Sequence, residues 1–119
     1  MIPIAPLRDK EILKNAGALD GHEEGHVMLS ARGIFARDYH DVSRCDAVFA
    51  NFTRANRVSV GSLFELAWAS QLRKPIVIVM DPAGLHDHPF VLACTPFIFD
   101  ADAVDDAIAT LVSIMRKGL

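Results

Sequence analysis

The sequence predicts an α/β fold in three layers, a parallel sheet of four to five strands with helices on both faces. Two observations carry it. Short apolar runs of strand character alternate with segments of helical period, the pattern of a parallel sheet whose crossovers are helices. The run Pro75-Ile-Val-Ile-Val-Met80 is apolar throughout, as in strands covered on both faces.

Met1 to Ala5 is a short apolar strand, its ladder weakened by Pro3 and ended by Pro6-Leu7-Arg8. Asp9 to Ala16 reads as a short helix stopped by Gly17. Residues 17–30 hold Gly17, Gly21, Gly25, His22, His26 and three acids, a loop with both histidines in solvent. From Ser30 or Ala31 to about Arg44, the residues Ile34, Phe35, Tyr39, Val42 and Cys45 recur at helical spacing. Asp38 and Asp41 fall off that stripe or at its border, and His40 falls on the helix surface.

Asp46 to Asn51 has the pattern of a buried strand, followed by the polar loop 52–57. A helix then runs to about Arg73, where Lys74-Pro75 breaks it. Pro75 to Met80 is the next strand, Asp81-Pro-Ala-Gly84 a turn, and Leu85 to Pro89 a loop. Phe90 to Cys94 makes a short helical turn and Pro96 to Phe99 a last strand. Ala101 to Lys117 closes as an amphipathic helix with Val104, Ile108, Leu111, Val112 and Met115 facing in. Acids occupy its first turn and Arg116 and Lys117 its last, complementing the helix dipole. The order is that of a flavodoxin/Rossmann-like sheet, whose ligands bind at the carboxyl ends of the strands. A strand 1–5 beside strand 46–51 would bring Arg8 close to Ser59.

The 119 residues fit one domain, 1–119, and 51% of them are hydrophobic, enough to form a core. Twelve basic residues are interspersed with fifteen acidic ones, for a net charge of −3. No basic run or stripe points to a nucleic-acid polymer. No segment reads as a signal peptide or a membrane span, so a cytoplasmic protein is expected. Cys45 and Cys94 sit in apolar surroundings and read as reduced, buried thiols.

The most informative stretch is Val58-Ser-Val-Gly-Ser-Leu-Phe-Glu-Leu-Ala-Trp68. It opens a helix with Ser59, Gly61 and Ser62, whose free N–H groups suit an anion. It then places Glu65 inside a helix made apolar nearly all round by Leu63, Phe64, Leu66, Ala67, Trp68, Ala69 and Leu72, so the helix is expected to be buried. A carboxylate there is costly unless it is paired, hydrogen-bonded or in use. Trp68 is assigned to the core or to a subunit contact. His86-Asp87-His88 has two metal-capable side chains and no third ligand, so no metal is assigned.

The ordered set Arg32-Gly-Ile-Phe-Ala-Arg-Asp38, Cys45-Asp46-Ala-Val-Phe-Ala-Asn51, Val58 to Ala69, Lys74 to Met80 and His86-Asp-His-Pro-Phe90 resembles the nucleoside 2-deoxyribosyltransferase family. That family includes relatives that hydrolyse nucleoside 5′-monophosphates. The resemblance implies that Glu65 is the nucleophile at the anomeric carbon, forming a covalent glycosyl-enzyme. It implies that Asp38 contacts and helps protonate the departing base. Asp46, which opens its strand, reads as ordering the loop rather than taking part in the chemistry. Family transferases often carry Asp at the position of Ser59, binding the sugar 5′-hydroxyl. The monophosphate hydrolases carry Ser there, binding the 5′-phosphate, so Ser59 tilts the expectation toward 5′-monophosphates. Gly61, Ser62, Arg8, Asn51 and His88 complete the candidate substrate contacts.

The expected partner is a small-molecule nucleoside or nucleotide, with no cofactor and a homodimer or higher homo-oligomer. Transfer of the sugar to a base and transfer to water both fit these residues. So does a non-catalytic nucleotide-binding or oligomerisation domain. Family members begin with a strand and loop resembling Tyr-Leu-Ala-Gly-Pro. Here Ile4-Ala5-Pro6-Leu7-Arg8 is a shortened equivalent, or Pro6 to Lys10 ends the family's second strand and the first strand–helix unit is missing.

Overall fold

The computed structural model describes residues 30–117. Their elements run α1 (Ala31–Arg44), β1 (Val48–Asn51), α2 (Val60–Gln71), β2 (Ile76–Val79), α3 (Pro89–Ala93), β3 (Ile98–Phe99), a 3-10 turn (Ala101–Ala103) and α4 (Val104–Lys117). The strands are parallel, in the order β1-β2-β3. Among the described residues the sheet therefore has three strands, not four to five. The expected strand Met1–Ala5, the helix Asp9–Ala16, the loop through residue 29 and Arg8 lie outside the described residues.

The central strand follows from its composition. Ile76, Val77, Ile78, Val79 and Met80 are all buried, and alternation along a strand sends them to opposite faces. Ile76, Ile78 and Met80 pack with Val48 and Ala50 of β1, Val42 of α1, Leu66 and Ala69 of α2 and Val91 of α3. Val77 and Val79 pack with Ala107 and Ile114 of α4, flanked by Phe49, Phe97 and Phe99. Helices thus cover both faces of the sheet.

Two backbone features fix the ends of this layer. The Thr95 hydroxyl donates to the Ile76 carbonyl at 2.6 Å and accepts the Phe97 N–H at 3.0 Å. A side chain thereby continues the pairing of β2 with the chain before β3, where Pro96 has no N–H to offer. At the end of α2, the Lys74 N–H donates to the Ala69 carbonyl at 2.8 Å and the Arg73 N–H to Ser70 at 3.1 Å, with Arg73 at φ 59°. This is a Schellman cap with arginine at the left-handed position that glycine usually fills. It stops the helix at Gln71, two residues before the sequence places its end.

Three expectations about helix faces change. Phe64 is 47% exposed and Leu72 is also exposed, so α2 is not buried all round. One side of it packs on the sheet and α1, while Phe64 and Leu72 stay exposed among the described residues. In α4 the inward stripe is Val104, Ala107, Leu111 and Ile114, while Ile108 and Val112 are exposed. The helix is rotated because the small Ala107 lets it approach Val77 and Val79 closely. In α1, Phe35 and Tyr39 are exposed, and the fully covered side carries Ile34, Asp41 and Val42.

Replacing Arg73 with glycine relieves a side chain held at positive φ and is expected to stabilise the fold by about 1 kcal/mol. A rise in the denaturant midpoint at unchanged slope checks this.

Candidate functional site

Strands β1 and β2 deliver their following loops to the same edge of the sheet, and three contacts join those loops. The Arg54 N–H donates to Asp81 Oδ2 at 2.8 Å, with Arg54 at φ 58°. The Phe52 ring stacks on the His86 imidazole at 3.8 Å between centroids, 8° from parallel. The Ser59 N–H donates to His86 Nε2 at 3.2 Å. Phe52 is itself anchored, because its N–H donates to the Val79 carbonyl at 2.8 Å. The turn after β2 closes through the Gly84 N–H and the Asp81 carbonyl at 3.1 Å. A Cβ at Gly84 would meet that carbonyl oxygen at 3.0 Å, so a side chain there would require the turn to give by a few tenths of an ångström.

His86 is buried, and burial holds its pKa below the ordinary histidine value. The neutral ring accepts at Nε2, which assigns its proton to Nδ1. The spacing of His86 in the sequence gave no sign of this role. A loop histidine acquires it only when the fold brings Ser59 and Phe52 alongside.

Ser59 caps α2. Its Oγ lies 3.3 Å from the Ser62 N–H and 2.8 Å from the Ser62 hydroxyl, and Ser62 is buried while Gly61 is exposed. The buried side of α2 continues through Glu65, 3% exposed, to Leu66 and Ala69. Helix α1 packs beside it. On α1 the row Ile34, Asp38, Val42 lies at i, i+4 and i+8 along one face. Ile34 and Val42 are buried, and the Asp38 side chain retains 15% exposure. Asp38 therefore sits on the inward side of α1, not at its border. A guanidinium nitrogen of Arg37 lies 3.7 Å from Asp38 Oδ1.

Asp41, placed by the sequence beside the stripe, is 3% exposed. Arg44 reaches its Oδ1 with Nε at 3.2 Å and Nη2 at 2.9 Å, the pairing that burial of a carboxylate requires. Asn51 is exposed and its Oδ1 accepts the Thr53 N–H at 2.9 Å, a turn at the end of β1. Asp46 is exposed, ahead of a strand that starts at Val48. His88 is exposed, and its Nδ1 accepts the Phe90 N–H at 3.1 Å, capping α3. Among the described residues no group of three or more His, Cys, Asp and Glu is placed to hold a metal ion.

The Cys45 thiol donates to the Val42 carbonyl, and the Cys94 thiol to that of Phe90; burial raises the pKa of both. Both are free, Cys45 fully buried and Cys94 half-buried. No described helix is long and apolar enough to cross a membrane.

Two apolar features flank α2. A cavity of about 520 Å³ lies between α2, at Leu63, Leu66 and Ala67, and α3, at Phe90 and Val91, with His86 in its wall. Glu65, Asp38 and Ser59 do not line it. On the side facing α1, the rings of Phe35, Tyr39 and Phe64 gather around Trp68 at centroid distances of 5.0 to 5.8 Å. Phe35, Tyr39, Phe64 and the neighbouring Val60 are exposed, and Trp68 is half-buried.

The family model described as nucleoside 2-deoxyribosyltransferase matches residues 3–110, reaching well before the first described residue. No curated protein and no solved structure matches the chain.

Neutral His86 links stability to pH. The unfolded histidine takes up its proton as the pH falls through about 6.5, before the buried one does. The stability that neutral His86 contributes is present above that value and is lost as the pH falls through the lower folded-state pKa. Wild type is expected to lose stability between about pH 7.5 and pH 5 by more than His86→Phe does, measured by denaturation at both pH values.

Proposed function

The chain belongs to the nucleoside 2-deoxyribosyltransferase family, and from that premise we propose that it cleaves the N-glycosidic bond of a (2-deoxy)nucleoside or its 5′-monophosphate through Glu65. The observation that carries the reading is the burial of Glu65, at 3% exposure, six residues beyond the serine that caps the same helix. A carboxylate kept from water on a helix of otherwise apolar character is suited to attack an oxocarbenium-like centre.

In the first step a Glu65 carboxylate oxygen bonds to the anomeric carbon as the bond from that carbon to the base nitrogen breaks. The base leaves with the bonding pair, and Asp38 in its acid form supplies the proton. Asp38 supports this role by lying on the inward side of α1, the helix that packs on α2. In the second step a base nitrogen or a water oxygen attacks the glycosyl ester and Glu65 is released as carboxylate. The acceptor's proton returns to Asp38. Exclusion of water from the ester decides between transfer and hydrolysis.

Ser59 and the N-terminal turn of α2 take the 5′ end of the substrate. A hydroxyl beside helix N–H groups accepts a phosphate, whereas a carboxylate there would repel it. Asn51 is a second contact from the end of β1, and Arg8 a further one. His88 contributes through the position of α3. The exposed aromatic face of Phe35, Tyr39 and Phe64 supports self-association, because contiguous apolar surface of this kind marks interaction sites.

Glu65→Gln preserves shape and removes the nucleophile, so base release or exchange is expected to fall by about a thousandfold or more. Product analysis uses a deoxynucleoside, its 5′-monophosphate and a free second base. Absence of turnover by folded wild-type protein overturns the reading in favour of a non-catalytic nucleotide-binding or oligomerisation domain. Ser59→Asp keeps a good helix cap. It is expected to raise KM for the monophosphate by about tenfold or more and to spare the nucleoside, measured by initial rates on both.

A further inference from the structure

We propose that His86 is a positioning residue for the 5′ end of the substrate, acting through Ser59. The inference rests on the assignment of Ser59 and the first turn of α2 to that end of the substrate.

A helix start carries N–H groups with no partner inside the helix. In α2 two of them are taken by the protein. The Ser59 N–H goes to His86 Nε2 at 3.2 Å, and the Ser62 N–H goes to Ser59 Oγ at 3.3 Å. The N–H groups of Val60 and Gly61 take no part in either bond, and both residues are exposed. These two donors are what the cap offers a ligand, beside the Ser59 hydroxyl, which itself donates to Ser62 Oγ at 2.8 Å. Their direction depends on the Ser59 peptide, which His86 holds from behind.

His86 is fit to hold it. The ring is 3% exposed, so it has little room to move. It lies flat on Phe52, and Phe52 is bonded to the carbonyl at the end of β2. The Ser59 cap is thus tied through one imidazole to the sheet edge rather than to its own loop alone. The ring must accept at Nε2, and a side chain that only donates at that point cannot replace it. This gives His86 a duty without contact to the substrate. It orients the group that distinguishes a 5′-phosphate from a 5′-hydroxyl.

Two variants separate the parts of this duty. His86→Phe keeps a ring against Phe52 and removes the acceptor. His86→Gln sacrifices the ring and carries an oxygen that can reach the Ser59 N–H. The measurements are KM and kcat for a deoxynucleoside and its 5′-monophosphate, with hydrogen exchange of the Ser59 amide by NMR. His86→Phe is expected to raise KM for the monophosphate by about tenfold, with kcat within about twofold and a smaller effect on the nucleoside. Its Ser59 amide is expected to exchange about tenfold faster or more, with His86→Gln bringing both values back toward wild type.

Unchanged KM in His86→Phe despite lost amide protection overturns the proposal. So does a fall in kcat alone, or equal behaviour of the two variants. Should wild type turn over neither substrate, the glycosidic reading fails, and the His86 proposal is then judged by titrating the three labelled proteins with inorganic phosphate. Shifts of the Val60 and Gly61 amides in wild type and His86→Gln that are absent in His86→Phe support it. No shift, or the same shift in all three, overturns it.

Discussion

Strand β2 is buried on both faces, and both helical layers exist because it must be covered twice. Burying each of its Ile and Val side chains contributes about 1.5–3 kcal/mol, more than any hydrogen bond at the periphery. Val77 and Val79 demand one layer and receive α4; Ile76, Ile78 and Met80 demand another and receive α1, α2 and α3. A parallel partner such as β1 can be reached only by a crossover, and α2 is that crossover. The position of Glu65 follows from this arrangement. It lies on α2 because α2 returns the chain from β1 to β2, and it is buried because α2 must lie against the sheet.

Both edges of the sheet are held by polar groups that burial has obliged to find partners. At the amino edge the Thr95 hydroxyl serves the Ile76 carbonyl and Arg44 serves Asp41, and at the carboxyl edge His86 serves the Ser59 N–H. Each bond is modest in net terms, but breaking one leaves a buried group unsatisfied at greater cost. The loops after β1 and β2 are therefore fixed to one another, through Arg54 with Asp81 and through Phe52 with His86. A ligand at this edge would meet a preformed surface, and little ordering cost would be charged against its binding.

Most elements were legible in the sequence because their signals are local. Ser30 capping α1, the apolar run of β2 and the break at Lys74-Pro75 each depend on neighbouring residues, and the described elements follow them to within a residue or two. The faces were harder to read. The stripe of α4 is broad enough for two rotations, and the choice of Ala107 over Ile108 depends on the shape of the β2 surface. Asp38 and Asp41 looked peripheral because polarity argues for solvent. Asp41 is inside through its pairing with Arg44, and Asp38 lies in a row between two buried residues.

The sequence by itself determined the family and the alternation of strands and helices, and it singled out Glu65, Asp38 and Ser59 as the residues on which the proposed chemistry rests. Period, caps and ordered motifs are properties of chain neighbours and survive without a fold. Only the tertiary structure decided that His86 backs Ser59 while His88 caps α3, and that Phe35, Tyr39 and Phe64 are exposed around Trp68. Ser59 and His86 are far apart along the chain, and no local pattern encodes which of two loop histidines will meet a given N–H. That contact exists because β1 and β2 run parallel and end at the same edge.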